Sequence, residues 1–498
     1  GGGASQAAGT TAAGTAASAG GAPKRGGILE VAITDTSTTD RLDPAIPLNT
    51  HDIVSTNLIY DGLVRMDQDF KALPALATAW EPNADGTVWE FTLRDGVTFH
   101  DGRPFTANDV VWSLQRAVDP KGQGTGLPQF TSTIPPEGIK AVGTNKVRFE
   151  LSRANFFLPQ LLGGFYTLIA PADTKDFTKA VGTGPFTVES FAPGQLFEAK
   201  RNESYWESGL PYLDGVRLVA VPDQTNKVQA VISGTAHLGD SMEPKLIQLV
   251  TGGGAELLTA RGGHFPMMVW QQDVAPFSDP KVMQALKLLV DRQKVVDQVY
   301  YGKADISPDI PIPPSDPFFP KDLPVPAHDP EKAKALLAEA GQAALTFDFY
   351  TSQLYPGFVD LPVLYKEMAK DAGVTVNIKV SQPQTYISTI ITQKPAFQDG
   401  WTRQHTMAIP PLLYTAGSPY AETHFTDTRV ADLFAQAVGS SDEATQRQKV
   451  ADAAAIIQDV GTQVIPCADW FIWPKKKALQ GAEANWGTFI KLREAWLA

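Results

Sequence analysis

The sequence predicts an α/β protein of more than one domain, and three observations carry that prediction. Strand-like and helix-like stretches alternate between residues 329 and 380. The run from Leu76 to Val118 packs a strand, two turn signals and a capped helix into few residues. The chain has 498 residues, too many for one hydrophobic core.

The elements follow in order. Residues Gly1 to Ala22 are Gly, Ala, Ser and Thr apart from Gln6, so this stretch is expected to be a flexible tether. It has neither a charged leader nor an apolar stretch, so any signal peptide is expected to have been removed already. Ile28, Leu29, Val31 and Ile33 read as a strand. Leu42-Asp43-Pro44 reads as a turn, and Ile53, Val54 and Leu58 as a helical stripe. Trp89, Phe91 and Leu93 alternate with polar residues, the period of a half-buried strand. Asp95-Gly96 is a hairpin signal, after which Val97 and Phe99 are expected on a second strand. Thr106 and Asp109 form a capping box for a helix bearing Val110, Val111, Leu114 and Val118.

Val147, Phe149 and Leu151 read as a strand, and Gly182-Thr183-Gly184-Pro185 as a constrained turn. Asp279-Pro280 and Asp329-Pro330 start helices, Asp as N-cap and Pro at the first helical position. Asp291-Arg292 begins another, closing at Tyr301-Gly302, and the prolines from Pro308 to Pro326 forbid a regular element. Phe347 and Phe349, then Val374, Val376, Ile378 and Val380, alternate as strands. Val430, Leu433, Phe434, Ala437 and Val438 form a helical stripe, and an apolar strand and helix are expected between Trp470 and Ala498.

Composition narrows function. The formal charge of −12 argues against nucleic acid or an anionic membrane face as partner. The one cysteine, Cys467, excludes an intrachain disulfide and reads as an inert buried thiol. There is no His-Glu-x-x-His, no Gly-x-Ser-x-Gly, and no histidine pair at metal-ligand spacing on a helix. An enzyme is therefore not expected, and neither a cofactor nor a metal is called for.

The central stretch also resembles a known family. Asp85-Gly86-Thr87, Phe91-Thr92-Leu93-Arg94, Phe99-His100-Asp101-Gly102 and Pro104-Phe105-Thr106-Ala107-Asn108-Asp109-Val110 are similar to the extracytoplasmic solute-binding proteins of peptide and nickel ABC importers. The resemblance implies a bilobed periplasmic-binding-protein fold (type II), with an extra subdomain in the first lobe. On that pattern 1–23 is the tether, and 24–49, 181–269 and 470–498 form the first lobe. Residues 50–180 form the subdomain and 270–469 the second lobe. The implied protein is an exported monomer, periplasmic or otherwise extracytoplasmic. It captures a small molecule by hinge closure and delivers it to a permease driven by ATPase subunits. Its contact with the membrane runs through that permease or a lipid anchor.

One departure bears on the ligand. Peptide-binding members carry an Asp soon after Gly-Trp, paired with the peptide ammonium. Here Gly400-Trp401-Thr402-Arg403-Gln404-His405 places Gln404 there, flanked by Arg403 and His405. The departure suggests a non-peptide, anionic ligand, with Arg403 as bidentate donor and Trp401 as an apolar wall. The alternatives are a peptide receptor of the same family, or an extracytoplasmic hydrolase. By position in the resemblance, His51, Asp52, Gln129, Phe130, Trp270, Gln271 and Tyr414 are further expected to line the cleft.

Overall fold

The computed structural model describes residues 21–119, 132–485 and 490–498; the expected tether lies almost wholly outside them. A single sheet of twelve strands runs through the molecule. At one end the first strand, Ile28–Ile33, pairs in parallel with Gly215–Ala220. At the other, Thr346–Thr351 pairs in parallel with Thr375–Val380 and meets Ala396–Thr402. Two long antiparallel strands, Glu256–Trp270 and Cys467–Lys475, join the two ends.

Those crossing strands carry an irregularity. Their register shifts between Ala260 and His264, where the sequence reads Arg261-Gly262-Gly263. Gly262 has φ +61°, and a Cβ there would lie 2.6 Å from the Ser315 hydroxyl. A Cβ on Gly263 would lie 2.2 Å from the Phe471 ring. The bulge bends the strand at the point where the chain passes between lobes. A bond between Arg403 N and Gly263 O (2.8 Å) ties the Trp401 loop to it.

The cores are separate. One gathers Leu29, Val31, Phe186, Phe197, Val216 and Trp473; another gathers Trp270, Leu286, Tyr300, Phe349 and Tyr365. A third lies under a four-stranded antiparallel sheet containing Val88–Leu93, whose buried residues alternate as expected. The helix Thr50–Ile59, expected in the subdomain, instead packs Ile53, Val54, Leu58 and Ile59 into the first of these cores.

Two sequence expectations are corrected. Val97 and Phe99 are buried but form no strand, and only a bridge joins Thr98 and Pro104. Val88–Leu93 already pairs on both sides, with Ala77–Pro82 and Lys146–Glu150, so no edge remains for a hairpin partner. The described residues after Lys475 form no helix. They make short strands that pin Leu479, Ala484, Ile490 and Leu492 into the first-lobe core. The capping box at Thr106 and Asp109 is present, as are the Asp279 and Asp329 N-caps. Cys467 is fully buried, and burial pushes its thiol well up. The Gly182 and Gly184 turn abuts the end of the Thr50–Ile59 helix, where a Cβ on Gly182 would lie 1.9 Å from Ile59 O.

Candidate ligand-binding cleft

The near wall of the cleft starts at the end of the first strand. Asp223 caps the helix Gln224–Ser233, which carries Lys227 into the interior, fully buried. Lys227 Nζ lies 2.6 Å from Asp240 Oδ1 and donates to Ser241 O at 2.7 Å. Asp240 Oδ2 then accepts from Thr34 N (2.9 Å) and Asp35 N (3.2 Å). This buried pair fixes the turn that presents Asp35. The Asp35 side chain is exposed, yet surrounding protein raises its carboxyl above the usual range, mainly by desolvation. A group that solvent reaches and protein still surrounds is a cleft wall. Tyr166 and Glu243 are half-buried, and desolvation likewise pushes the tyrosine up to about 12 and raises the glutamate.

The far wall rises from Ala396–Thr402. Asp399 and Trp401 alternate onto one face, opposite Met267 and Phe265. Trp401 is half-buried, and its Nε1 donates to Glu422 Oε1 at 2.8 Å. Asp399 and Glu422 are hydrogen-bonded to each other and buried. Desolvation raises both, and the charge of Asp399 raises Glu422 further. Glu422 in turn anchors the Trp401 ring through the indole hydrogen bond. On the other face His264 packs on Tyr355 at 4.6 Å and lies 3.5 Å from Asp469. A Cβ on Gly400 would meet the His264 ring at 2.5 Å. Tyr355 is 40% exposed, yet burial pushes its hydroxyl up to about 12, with Asp399, Asp35 and Tyr166 as charged or polar neighbours.

The two walls touch. The Gly357 amide hydrogen-bonds the Glu243 carboxylate, and Phe156 N donates to Val438 O at 2.9 Å. Beside this second contact lies a cavity of about 330 Å³, lined mainly by apolar groups including Phe157, Leu161, Met407, Leu412 and Phe434.

The residues expected from sequence fall in different places. Trp401 is half-buried, edge-on to Tyr420 at 5.7 Å, and Gln404 is half-buried on the same loop. Arg403 is 2% exposed and turned inward. It lies 3.4 Å from Asp316 and 3.3 Å from the Ser315 hydroxyl, with Phe70 beneath its guanidinium at 4.5 Å. His405 is buried against Phe157 (4.8 Å), Phe70 and Phe318, and desolvation lowers it to about 4. It is neutral at ordinary pH, and its Nδ1 accepts from Met407 N.

Trp270 packs at 0% exposure against Phe347, Phe349 and Tyr365, because its strand runs through the second-lobe core. Gln271 is buried and donates to Thr392 O. Tyr414 is buried against Phe425. His51 and Asp52 are buried in the first lobe, where Asp52 accepts from Arg41 N and Leu48 N. All five are buried, Trp270, Gln271, Tyr414 and Asp52 with the partners just named. Gln129 and Phe130 lie outside the described residues.

Sequence reasoning missed Asp35, Tyr166, Glu243 and Tyr355, which solvent reaches, and the buried His264, Asp399 and Glu422 that support Tyr355 and Trp401. The one available signal was local: Asp399 immediately precedes Gly400-Trp401, and Gly262-Gly263 immediately precedes His264.

Comparison with known proteins agrees with this architecture. The family model for bacterial extracellular solute-binding proteins, family 5, matches residues 71–421. Heme-binding protein A of Haemophilus influenzae is 32% identical over 363 residues, 67% of this chain and 65% of that protein. The chain thus spans slightly under two thirds of that relative's length. A probable di/tripeptide-binding protein of Pseudomonas aeruginosa is 29% identical over 66% of this chain and 68% of its own. Among solved structures, HbpA2 from Haemophilus parasuis superposes with a TM-score of 0.82 at 22% identity, covering 95% of this chain and all of that one. With a family match over most of its length, the chain belongs to the bacterial extracellular solute-binding proteins, family 5.

Proposed function

We propose that this protein is the receptor of an ABC importer, and that its ligand is a small solute bearing a cationic amine. The solute is enclosed between the lobes and handed to a membrane permease whose ATPase subunits drive import. The receptor acts outside the cytoplasm. The observation that carries the ligand reading is the acidity of the cleft. Asp35 and Glu243, the carboxylates that solvent reaches, are both raised by desolvation. An ammonium placed among them would relieve that cost. Tyr166, Tyr355 and Trp401 supply flat walls for the rest of the molecule. A short peptide fits this chemistry, and the apolar cavity beside Met407 would take a side chain. The relatives' names span heme and di/tripeptides, so membership alone selects no ligand.

A second reading, an anionic ligand at Arg403, has one observation behind it. The guanidinium contacts are all 3.3–3.4 Å long and its Nε has no hydrogen-bond partner. An incoming carboxylate would find an open fork there.

Calorimetry with a dipeptide and with its N-acetylated form separates the two. The amine reading expects the free amine to bind and the acetylated form to fail. It also expects Asp35→Asn to weaken binding tenfold or more, and Arg403→Ala to leave it unchanged. Binding that survives acetylation and is lost with Arg403→Ala would establish the anionic reading instead.

A further inference from the structure

The first lobe holds a cluster that the cleft does not use. Asp40, His51 and Asp52 are each at most 5% exposed. His51 Nδ1 lies 3.5 Å from Asp40 Oδ2 and 3.9 Å from Asp52 Oδ1. One donor atom from each residue falls within 4.8 Å of the others. The imidazole is held in place by rings, stacked on Phe191 at 6.1 Å and edge-on to Phe197 at 6.3 Å. Both of its ring nitrogens are buried without a hydrogen-bond partner. Burying a donor and an acceptor unpaired is costly, and both carboxylates face the same ring nitrogen, Nδ1.

From this we infer that Asp40, His51 and Asp52 bind a divalent transition-metal ion, zinc being the best fit, as a structural staple of the first lobe. Charge is the first argument. Two buried carboxylates beside a neutral imidazole leave the cluster at −2, an imidazolium leaves it at −1, and a divalent ion brings it to zero. Geometry is the second. Ligands about 2.1 Å from a tetrahedral zinc stand roughly 3.4 Å apart; the two histidine–carboxylate separations, 3.5 and 3.9 Å, are close to that, and the whole donor set, within 4.8 Å, would close on an ion by drawing the two carboxylates together. One nitrogen and two oxygens suit zinc and its first-row neighbours better than magnesium or calcium.

The carboxylates are already oriented. Asp40 accepts from Ser37 N, Asn49 Nδ2 and Gly194 N, and Asp52 from Arg41 N and Leu48 N. Oriented acids of this kind are what a metal site requires of its surroundings. The sequence concealed the set because Asp40 stands eleven residues before His51, and only the loop from 35 to 52 folding back on itself joins them. That loop also presents Asp35, whose carboxylate accepts from Thr50 N at 2.8 Å and whose carbonyl accepts from His51 N at 3.3 Å. The metal would therefore hold one wall of the cleft. The inference does not depend on which solute the cleft takes.

The test uses the full chain, purified without a metal column, stripped with EDTA and dialysed. Zinc is then added alone, and bound metal is counted by mass spectrometry while thermal unfolding is followed. We expect one equivalent bound and a melting temperature several degrees higher, with cobalt substitution giving the absorption of a tetrahedral site. His51→Phe keeps a ring between Phe191 and Phe197, so it should melt like the stripped parent and show neither the bound equivalent nor the rise. Asp40→Asn should behave similarly toward metal. Equal zinc uptake by His51→Phe would place the metal at another site and overturn the proposal. So would a parent that binds none, with nitrogen chemical shifts showing His51 as an imidazolium paired to Asp40.

Discussion

Two buried ion pairs stand on opposite sides of the cleft, and they are built differently. Lys227 and Asp240 meet at 2.6 Å, and both further partners of the pair, Ser241 O and the Thr34–Asp35 amides, belong to the same lobe. Arg403 and Asp316 meet at 3.4 Å, and the ring under Arg403 belongs to Phe70, far away in the chain. The first pair is saturated and local to one rigid body. The second is slack and sits where two bodies meet. Burial by itself does not make a charge pair a stabilising feature; the completeness of its hydrogen bonding does.

The comparison can be broken first at Lys227. Lys227→Met strands the Asp240 carboxylate and should cost about 3–5 kcal/mol in urea unfolding. Adding Asp240→Asn should recover part of the stability while still loosening Asp35, so ligand affinity stays low. If Lys227→Met costs no more than Arg403→Met, the contrast drawn here is wrong.

Acid sharpens it next, on the slack side. His405 is lowered to about 4 in the folded protein, from 6.5. Between those values the unfolded chain binds the extra proton, so stability is full above about pH 6.5 and is lost as pH falls toward 4. The total is about 3 kcal/mol at one unit per 1.36 kcal/mol. Chemical denaturation across that range should show His405→Gln with a shallower acid loss than the parent, and parallel curves would refute the assignment.

Gly263 tests the bend between the two sides. Gly263→Ala drives a methyl into Phe471 and should cost about 1–3 kcal/mol. It should also alter closure, read as a change in the radius of gyration that ligand produces in small-angle scattering.

The smallest stability effect is expected at Arg403 itself. Its contacts are long, so Arg403→Met should cost about 1–2 kcal/mol. A loss matching that of Lys227→Met would mean the pair is tighter than its geometry indicates.

Local chemistry was legible because it is written in neighbouring residues. The Thr106–Asp109 capping box, the Asp279 and Asp329 caps and the alternation of Val88–Leu93 are all present as read. The family words between Asp85 and Val110 led to the fold for the same reason: they are contiguous. Val97 and Phe99 show the limit. Their alternation is real, but whether a stretch becomes a strand depends on a free neighbouring edge, and Lys146–Glu150 had taken it.

Of the described residues expected at the cleft, only Trp401 and Gln404 are half-buried rather than buried; the candidate walls also draw on Asp35, Tyr166, Glu243 and Tyr355, which lie up to several hundred residues apart. Arg403 was expected to meet an anionic ligand, whereas the structure pairs it with Asp316, 87 positions away. The sequence by itself determined most of the element types, the caps and the family. Tertiary structure alone decided which charges face the ligand and which are neutralised inside. A charge's partner is set by distance in space, and sequence records distance only along the chain.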